Sequence, residues 1–242
     1  MTSSGSVGGK GLAILPDLLA SPSRAFRRLA ADPQWIGIAL FVLLLFGLAA
    51  WIRMPVEFAY QIEATEAAFE RFDVPPAERE EALANMPDPD EVSFGRAAAH
   101  IATGLGFVLV ILLAGVLVLQ LIARIAGIPA ATFRTSSAVL FTASIASGAG
   151  VLVMAVLSRA SNSIEVSLGP GAFFPYHSLP GIFLDLFDVS SVITLLLLVI
   201  GVREVFGTKS GTSWAIAGTY WLLSSMVVIG FRLVGAWVSG SL

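Results

Sequence analysis

Four stretches of the sequence are long and apolar enough to cross a lipid bilayer, which takes about 20 mostly apolar residues. They cover residues 34–52, 101–119, 136–157 and 213–231. A fifth stretch, residues 189–202, is free of charged residues over 14 positions. At 1.5 Å per residue it covers about 21 Å of a hydrocarbon core of roughly 30 Å. Its helix must therefore extend toward Asp185 and Asp188 or past Arg203 and Glu204.

Continuous apolar runs of this kind predict helices, because the strands of a membrane barrel alternate between apolar and polar residues. The sequence predicts an all-α integral membrane protein with five transmembrane helices. We expect one membrane domain over residues 34–238, after a cytoplasmic N-terminal tail with interfacial helices over residues 1–33. The predicted spans cover about residues 34–53, 99–123, 136–158, 185–206 and 213–235.

The composition excludes several classes of function. Charged residues make up 13% of the chain, about half of what a soluble domain carries. The chain has no cysteine, which excludes disulfides and thiolate metal sites, and its two histidines lie far apart. A net charge of −3 without a basic run argues against nucleic-acid binding. We therefore predict no metal site, no cofactor and no nucleic-acid partner.

The distribution of charge predicts the orientation of the helices. With a cytoplasmic N-terminus and an external C-terminus, eight of the 14 basic residues lie on the cytoplasmic side with only three of the 17 acidic residues. The loops at residues 124–134 and 203–212 are short and basic, and short loops are where the positive-inside rule applies.

A basic amphipathic helix is expected before the first span. Ser21 followed by Pro22 is typical of a helix start. Phe26 is then expected to dip into the membrane interface, while Arg24, Arg27 and Arg28 reach lipid phosphates or a cytosolic partner. The alternative is an anchor that serves topology alone.

Two segments are expected outside the membrane on the far side. Residues 54–98 form an acidic, helical insert in which the first span continues to about residue 72, and residues 87–91 turn the chain back. Residues 159–184 form a loop rich in glycine, proline and aromatic residues, which is typical of the headgroup level.

Small residues crowd the third predicted span at a spacing of four. This pattern permits close helix contact, either inside the chain, between two copies, or around a lipid tail in a groove. The residues concerned are Ala143, Ser144, Ala146, Ser147, Gly148 and Gly150.

Asp185 and Asp188 form a candidate ionisable pair. They share one helix face if the fourth span begins at residue 185, and His177 is near in sequence. Ionisable groups at membrane depth are costly and often functional, whereas aspartate at a helix start is ordinary capping. Arg96 and His100 are the nearest candidate counter-charges, and Arg203 and Arg232 are expected to snorkel or pair locally.

Motifs of known catalytic sites are missing from the sequence. It contains no H-E-x-x-H, no G-x-S-x-G and no G-x-x-x-x-G-K-[ST] pattern. We therefore predict no catalytic residue and no enzymatic activity.

The sequence resembles the bacterial branch of the Yip family. The resemblance rests on the segment from Leu18 to Phe26, on Asp32-Pro33, on the segment from Leu198 to Glu204, and on the small residues of the third span. It implies a five-span membrane protein without established enzymatic activity. Eukaryotic relatives bind prenylated Rab-type GTPases, but this sequence lacks their Asp-Leu-Tyr-Gly-Pro motif.

These observations lead to two hypotheses of different class. The first is a membrane scaffold or adaptor that docks membrane lipids or a protein partner, as a homo-oligomer or with another membrane protein. The alternative is a transporter or channel-like permease component for a lipid or small cation, which would use Asp185 and Asp188. An excess of arginine over lysine predicts a bacterial cytoplasmic membrane.

Overall fold

A computed structural model describes residues 12–86, 93–175 and 178–238 of the chain. These residues form helices, turns and loops, without a β-strand among them. The α-helices are α1 (Leu15–Ala20), α2 (Pro22–Ala31), α3 (Ile36–Arg71), α4 (Pro76–Ala84), α5 (Phe94–Ile125), α6 (Phe133–Ser161), α7 (Leu179–Leu184), α8 (Val189–Phe206) and α9 (Ser210–Val238). Two 3₁₀ turns cover Pro170–Phe173 and Asp185–Phe187. Residues 1–11 of the predicted tail, the predicted turn at 87–91 and His177 lie outside the described residues.

Five of these helices are long and apolar enough to cross a membrane, namely α3, α5, α6, α8 and α9. This confirms the predicted all-α class and the five spans. The placement of the N-terminus on the cytoplasmic side stays a prediction.

Helix lengths differ widely among the five. Helix α3 has 36 residues and is about 54 Å long, so it exceeds a hydrocarbon core of roughly 30 Å. Helix α8 has 18 residues and is about 27 Å long. It contains Arg203 and Glu204, so the shortest apolar run extends past these two residues and not toward Asp185.

Glycines end two of the helices. Gly127 follows α5 and Gly207 follows α8, and both have positive φ angles, of 78° and 67°. The amide of Ile128 donates to the carbonyl of Ala123, and the amide of Thr208 donates to that of Arg203. A positive φ with this bonding pattern closes a helix and reverses the chain. The sequence therefore encodes short connections from α5 to α6 and from α8 to α9.

The chain divides into two compact units. The first comprises the described residues up to Phe46, Leu105–Gly150 and Ser190–Ser225. Its core takes side chains from α1, α2, α3, α5, α6, α8 and α9. The second comprises Gly47–Gly104, Val151–Val189 and the described residues from Met226 onward. Its buried cluster consists of Met54, Phe58 and Ala97.

Candidate functional site

Helix α2 packs into the core of the first unit through its apolar face. Phe26 is fully buried, together with Ala25 and Leu29. A Cβ atom placed on Gly201 of α8 would come within 2.8 Å of the ring of Phe26 and equally near to Val139 of α6. The ring therefore occupies the space that a side chain at position 201 would need.

This burial corrects the prediction that Phe26 dips into the membrane interface. The ring packs beside Gly201 of α8 in the core of the first unit, so it is accessible neither to lipid nor to a docking partner. The physical reason is the glycine, because its missing side chain provides a site in the protein core for an aromatic ring. Phe26 is a packing residue that holds α2 in place.

The basic face of α2 points the other way. Arg24, Arg27 and Arg28 are all exposed. Arg28 forms an ion pair with Asp17 of α1, whereas among the described residues Arg24 and Arg27 have no ion-pair or hydrogen-bond partner. The structure thus separates the three arginines into one internal ion pair and two open guanidinium groups.

The small residues of α6 pack inside the first unit. Ala143, Ser144, Gly148 and Gly150 are buried. A Cβ atom on Gly148 would lie 3.1 Å from Leu45 of α3, and one on Gly150 would clash with Ser190 of α8.

A hydrogen bond between the hydroxyls of Ser147 and Thr194, 2.8 Å long, adds a polar link between α6 and α8. Ala146 is half-buried against the core of the same unit. Of the alternatives for this stripe, close contact within the chain is the one that these contacts support.

Asp185 and Asp188 do not stand on one helix face. Helix α8 begins at Val189, Asp185 lies in a 3₁₀ turn, and Asp188 has an extended backbone with φ −63° and ψ 158°. The condition for a shared face, a helix start at residue 185, is therefore not met. The extended residue breaks the helical path between the two carboxylates.

Asp185 instead forms an ion pair within the second unit. Its Oδ2 lies 2.6 Å from Nη1 of Arg232 in α9, and the Ser167 hydroxyl donates to its Oδ1 over 2.5 Å. The side chain of Asp185 is only 12% exposed and that of Arg232 is 32% exposed. Arg232 was expected to snorkel or pair locally, but the structure pairs it with a residue 47 positions away in the sequence.

Sequence reasoning missed this pair because no spacing links an arginine in the last span to a loop before the fourth. One signal was present, namely a single arginine inside an apolar run. Such a residue needs a partner, since an unpaired charge at membrane depth is costly. The structure supplies Asp185 as that partner.

A second polar group in the same unit joins α3 and α5. The Glu57 carboxylate lies 3.4 Å from Nε of Arg53 and 3.8 Å from Nε2 of His100. The His100 ring meets the Phe58 ring edge to face, with centroids 5.0 Å apart. His100 is therefore next to Glu57 and is not a counter-charge of Asp185. In the part of the chain that is described, no three histidine or carboxylate side chains are grouped to hold a metal ion.

Comparison with known families identifies the type of chain. A family model described as the Yip1 domain matches residues 17–231. This chain belongs to the Yip1 domain family. The match covers all or most of each of the five long apolar helices, and it includes the basic face of α2. No curated protein and no solved structure matches the chain. Family and helices together make it a multi-pass membrane protein.

Proposed function

We propose that this Yip1-domain protein is a non-enzymatic membrane scaffold or adaptor that docks acidic partners on the basic face of helix α2. The partners are anionic lipid headgroups or an acidic segment of another membrane protein. The proposed location is a bacterial cytoplasmic membrane, in which the positive-inside rule would place this face of α2 on the cytoplasmic side.

The observation that carries the proposal is the state of Arg24 and Arg27. Both are exposed and have no partner among the described residues, while the other face of their helix is fixed in the core by Phe26. Because the backbone of α2 is already held in place, a partner that binds these side chains does not have to order the backbone, as it would on a flexible tail. Arg28 contributes less, because Asp17 neutralises it.

The transporter hypothesis has less support from the site geometry. It requires Asp185 and Asp188 as an ionisable pair, but Asp185 is engaged with Arg232 and Ser167. The small-residue stripe of α6 is filled by side chains of α3 and α8, so it leaves little room for a lipid tail there.

The experiment compares partner retention between matched arginine variants. We expect the double variant Arg24→Gln, Arg27→Gln to retain several-fold less anionic lipid or protein partner than the parent after mild extraction from native membranes, measured by quantitative mass spectrometry. The retained fraction of the parent should fall as salt rises, since exposed charges are screened within about 10 Å at 0.1 M.

The matched control is Arg159→Gln. Arg159 is also exposed and without a partner among the described residues, but it lies at the far end of α6. Its loss should leave retention unchanged. Equal retention by the parent and the double variant would contradict docking on α2.

A further inference from the structure

A cavity lies at the start of the first transmembrane helix. It has a volume of about 290 Å³ and is lined by Pro33, Gln34, Trp35, Ile36, Gly37 and Arg134. This volume is close to the ~300 Å³ at which small-molecule pockets begin. The lining combines charged, amide and apolar groups, and each of these groups restricts the kind of ligand that can bind.

One side of the cavity favours a phosphate group. Arg134 is anchored by a hydrogen bond of 3.1 Å from Nε to the carbonyl of Pro33, and its side chain is 61% exposed. Ile36 and Gly37 belong to the first turn of α3, where amide N–H groups have no partner within the helix. A guanidinium beside free amides at a helix N-terminus is a strong setting for a phosphate oxygen.

The neighbouring groups favour a cation. Asp32 lies beside the cavity, with its Oδ1 3.1 Å from Nη2 of Arg134. Gln34 donates from Nε2 to Oδ2 of Asp32 over 2.6 Å, which leaves the other amide atom, Oε1, as an acceptor. That Oε1 is buried and has no hydrogen-bond partner within the described residues. Because Oε1 is shielded from solvent, the exposed carboxylate of Asp32 is the acceptor that a bound cation can reach.

The wall of the cavity is held in place by aromatic packing. The Trp35 ring stacks on Phe141 at a centroid distance of 5.5 Å and meets Phe133 edge to face at 6.0 Å. Tryptophan is enriched where a membrane meets water. These contacts fix the wall of the cavity, and a tryptophan in that wall is the residue expected at the level of lipid headgroups.

An apolar track begins at the rim of the cavity. Ile36, Leu40 and Leu44 are exposed and follow at intervals of four residues along one face of α3. Because this face runs into the apolar stretch of the helix, an acyl chain can lie on it while its headgroup sits in the cavity. A soluble headgroup would make no use of the track.

We propose that this cavity binds phosphatidylethanolamine, a zwitterionic phospholipid with a phosphodiester and a primary ammonium group. The phosphodiester is bound by Arg134 and the first-turn amides, and the ammonium by the exposed carboxylate of Asp32. A purely anionic headgroup would meet the Asp32 carboxylate, and a choline headgroup has no N–H to donate. The site is separate from the basic face of α2, so the two proposals can fail independently.

The test measures lipid binding to the purified, delipidated full-length chain by native mass spectrometry. The probes are dioleoyl phosphatidylethanolamine, phosphatidylcholine and phosphatidylglycerol, and soluble phosphoethanolamine. We expect phosphatidylethanolamine to bind at least about fivefold more tightly than the other three, since charge-assisted hydrogen bonds are worth more than neutral ones.

Two variants test the two halves of the site. Arg134→Gln should weaken phosphatidylethanolamine binding about tenfold. Asp32→Asn should weaken it less and shift the preference toward phosphatidylglycerol, an inversion that a folding defect does not produce. Arg159→Gln serves as the matched control and should bind as the parent does.

Equal affinity for all three lipids, or unchanged preference in Asp32→Asn, would overturn the proposal. Tight binding of soluble phosphoethanolamine would refute the claim that an acyl chain on α3 contributes to binding. Thermal unfolding of each variant identifies any loss of fold. The order of affinities of the parent for the three headgroups tests the proposal even without the variants.

Discussion

The ring of Phe26 lies against Gly201, and this contact fixes the interfacial helix α2 to a transmembrane helix. Both residues are part of the segments that suggested the family, yet neither segment indicates that they touch. Their contact depends on α8 running beside α2, with Val139 of α6 as the third wall. At the scale of the residue, the absence of one side chain decides where an aromatic ring goes.

This contact predicts a large effect for a small substitution. Gly201→Ala places a methyl group 2.8 Å from both Phe26 and Val139, so it should destabilise the protein by about 1–3 kcal/mol through overpacking. The measurement is the thermal unfolding of the detergent-solubilised chain.

The matched control for this substitution is Gly218→Ala in α9. A Cβ atom there has no neighbouring atom within 4 Å, and alanine has the higher helix propensity. We therefore expect unchanged or slightly raised stability. If both alanine variants behaved alike, the tight packing of Phe26 on Gly201 would be refuted.

At the scale of the element, an ion pair joins the loop before α8 to the last helix. Asp185 receives hydrogen bonds from Arg232 and from Ser167, so it ties α9 to the 3₁₀ turn at Asp185–Phe187. Both side chains are largely removed from water, which makes loss of one partner costlier than loss of both. The pair therefore has a structural role that its position in the sequence does not reveal.

A double-mutant cycle measures this link. Asp185→Asn and Arg232→Gln should each lower stability, and the double variant should lose less than the sum of the two. The expected coupling is about 0.5–3 kcal/mol, as for residues in direct contact. Strictly additive effects in the unfolding of the three variants would show that the two side chains do not interact. Arg159→Gln, an exposed arginine without a described partner, provides the baseline for removing a guanidinium.

At the scale of the whole molecule, the distribution of charge predicts how the chain is oriented in the membrane. The absence of cysteine makes a clean experiment possible, because any introduced thiol is the only one. Ala130 and Ala160 are both exposed, near opposite ends of α6.

We expect a membrane-impermeant maleimide to label Ala160→Cys in intact cells and Ala130→Cys only after the membrane is opened. This outcome follows from the basic loop at residues 124–134, which the positive-inside rule places in the cytoplasm. The reverse pattern would invert the proposed topology and would move the basic face of α2 to the outside.

The sequence by itself determined the class, the number of spans and the family. These properties depend on local composition, since each span must satisfy its own backbone hydrogen bonds in lipid. The glycines that close α5 and α8 are local signals of the same kind, because a positive φ is a property of one residue.

Only the tertiary structure decided what the candidate site residues contact. It buried Phe26 against Gly201, divided the arginines of α2 into paired and open groups, and joined Asp185 to Arg232. The physical reason is that these contacts link residues distant in the chain. Which distant residue comes near is set by the packing of whole helices and leaves no spacing pattern in the sequence.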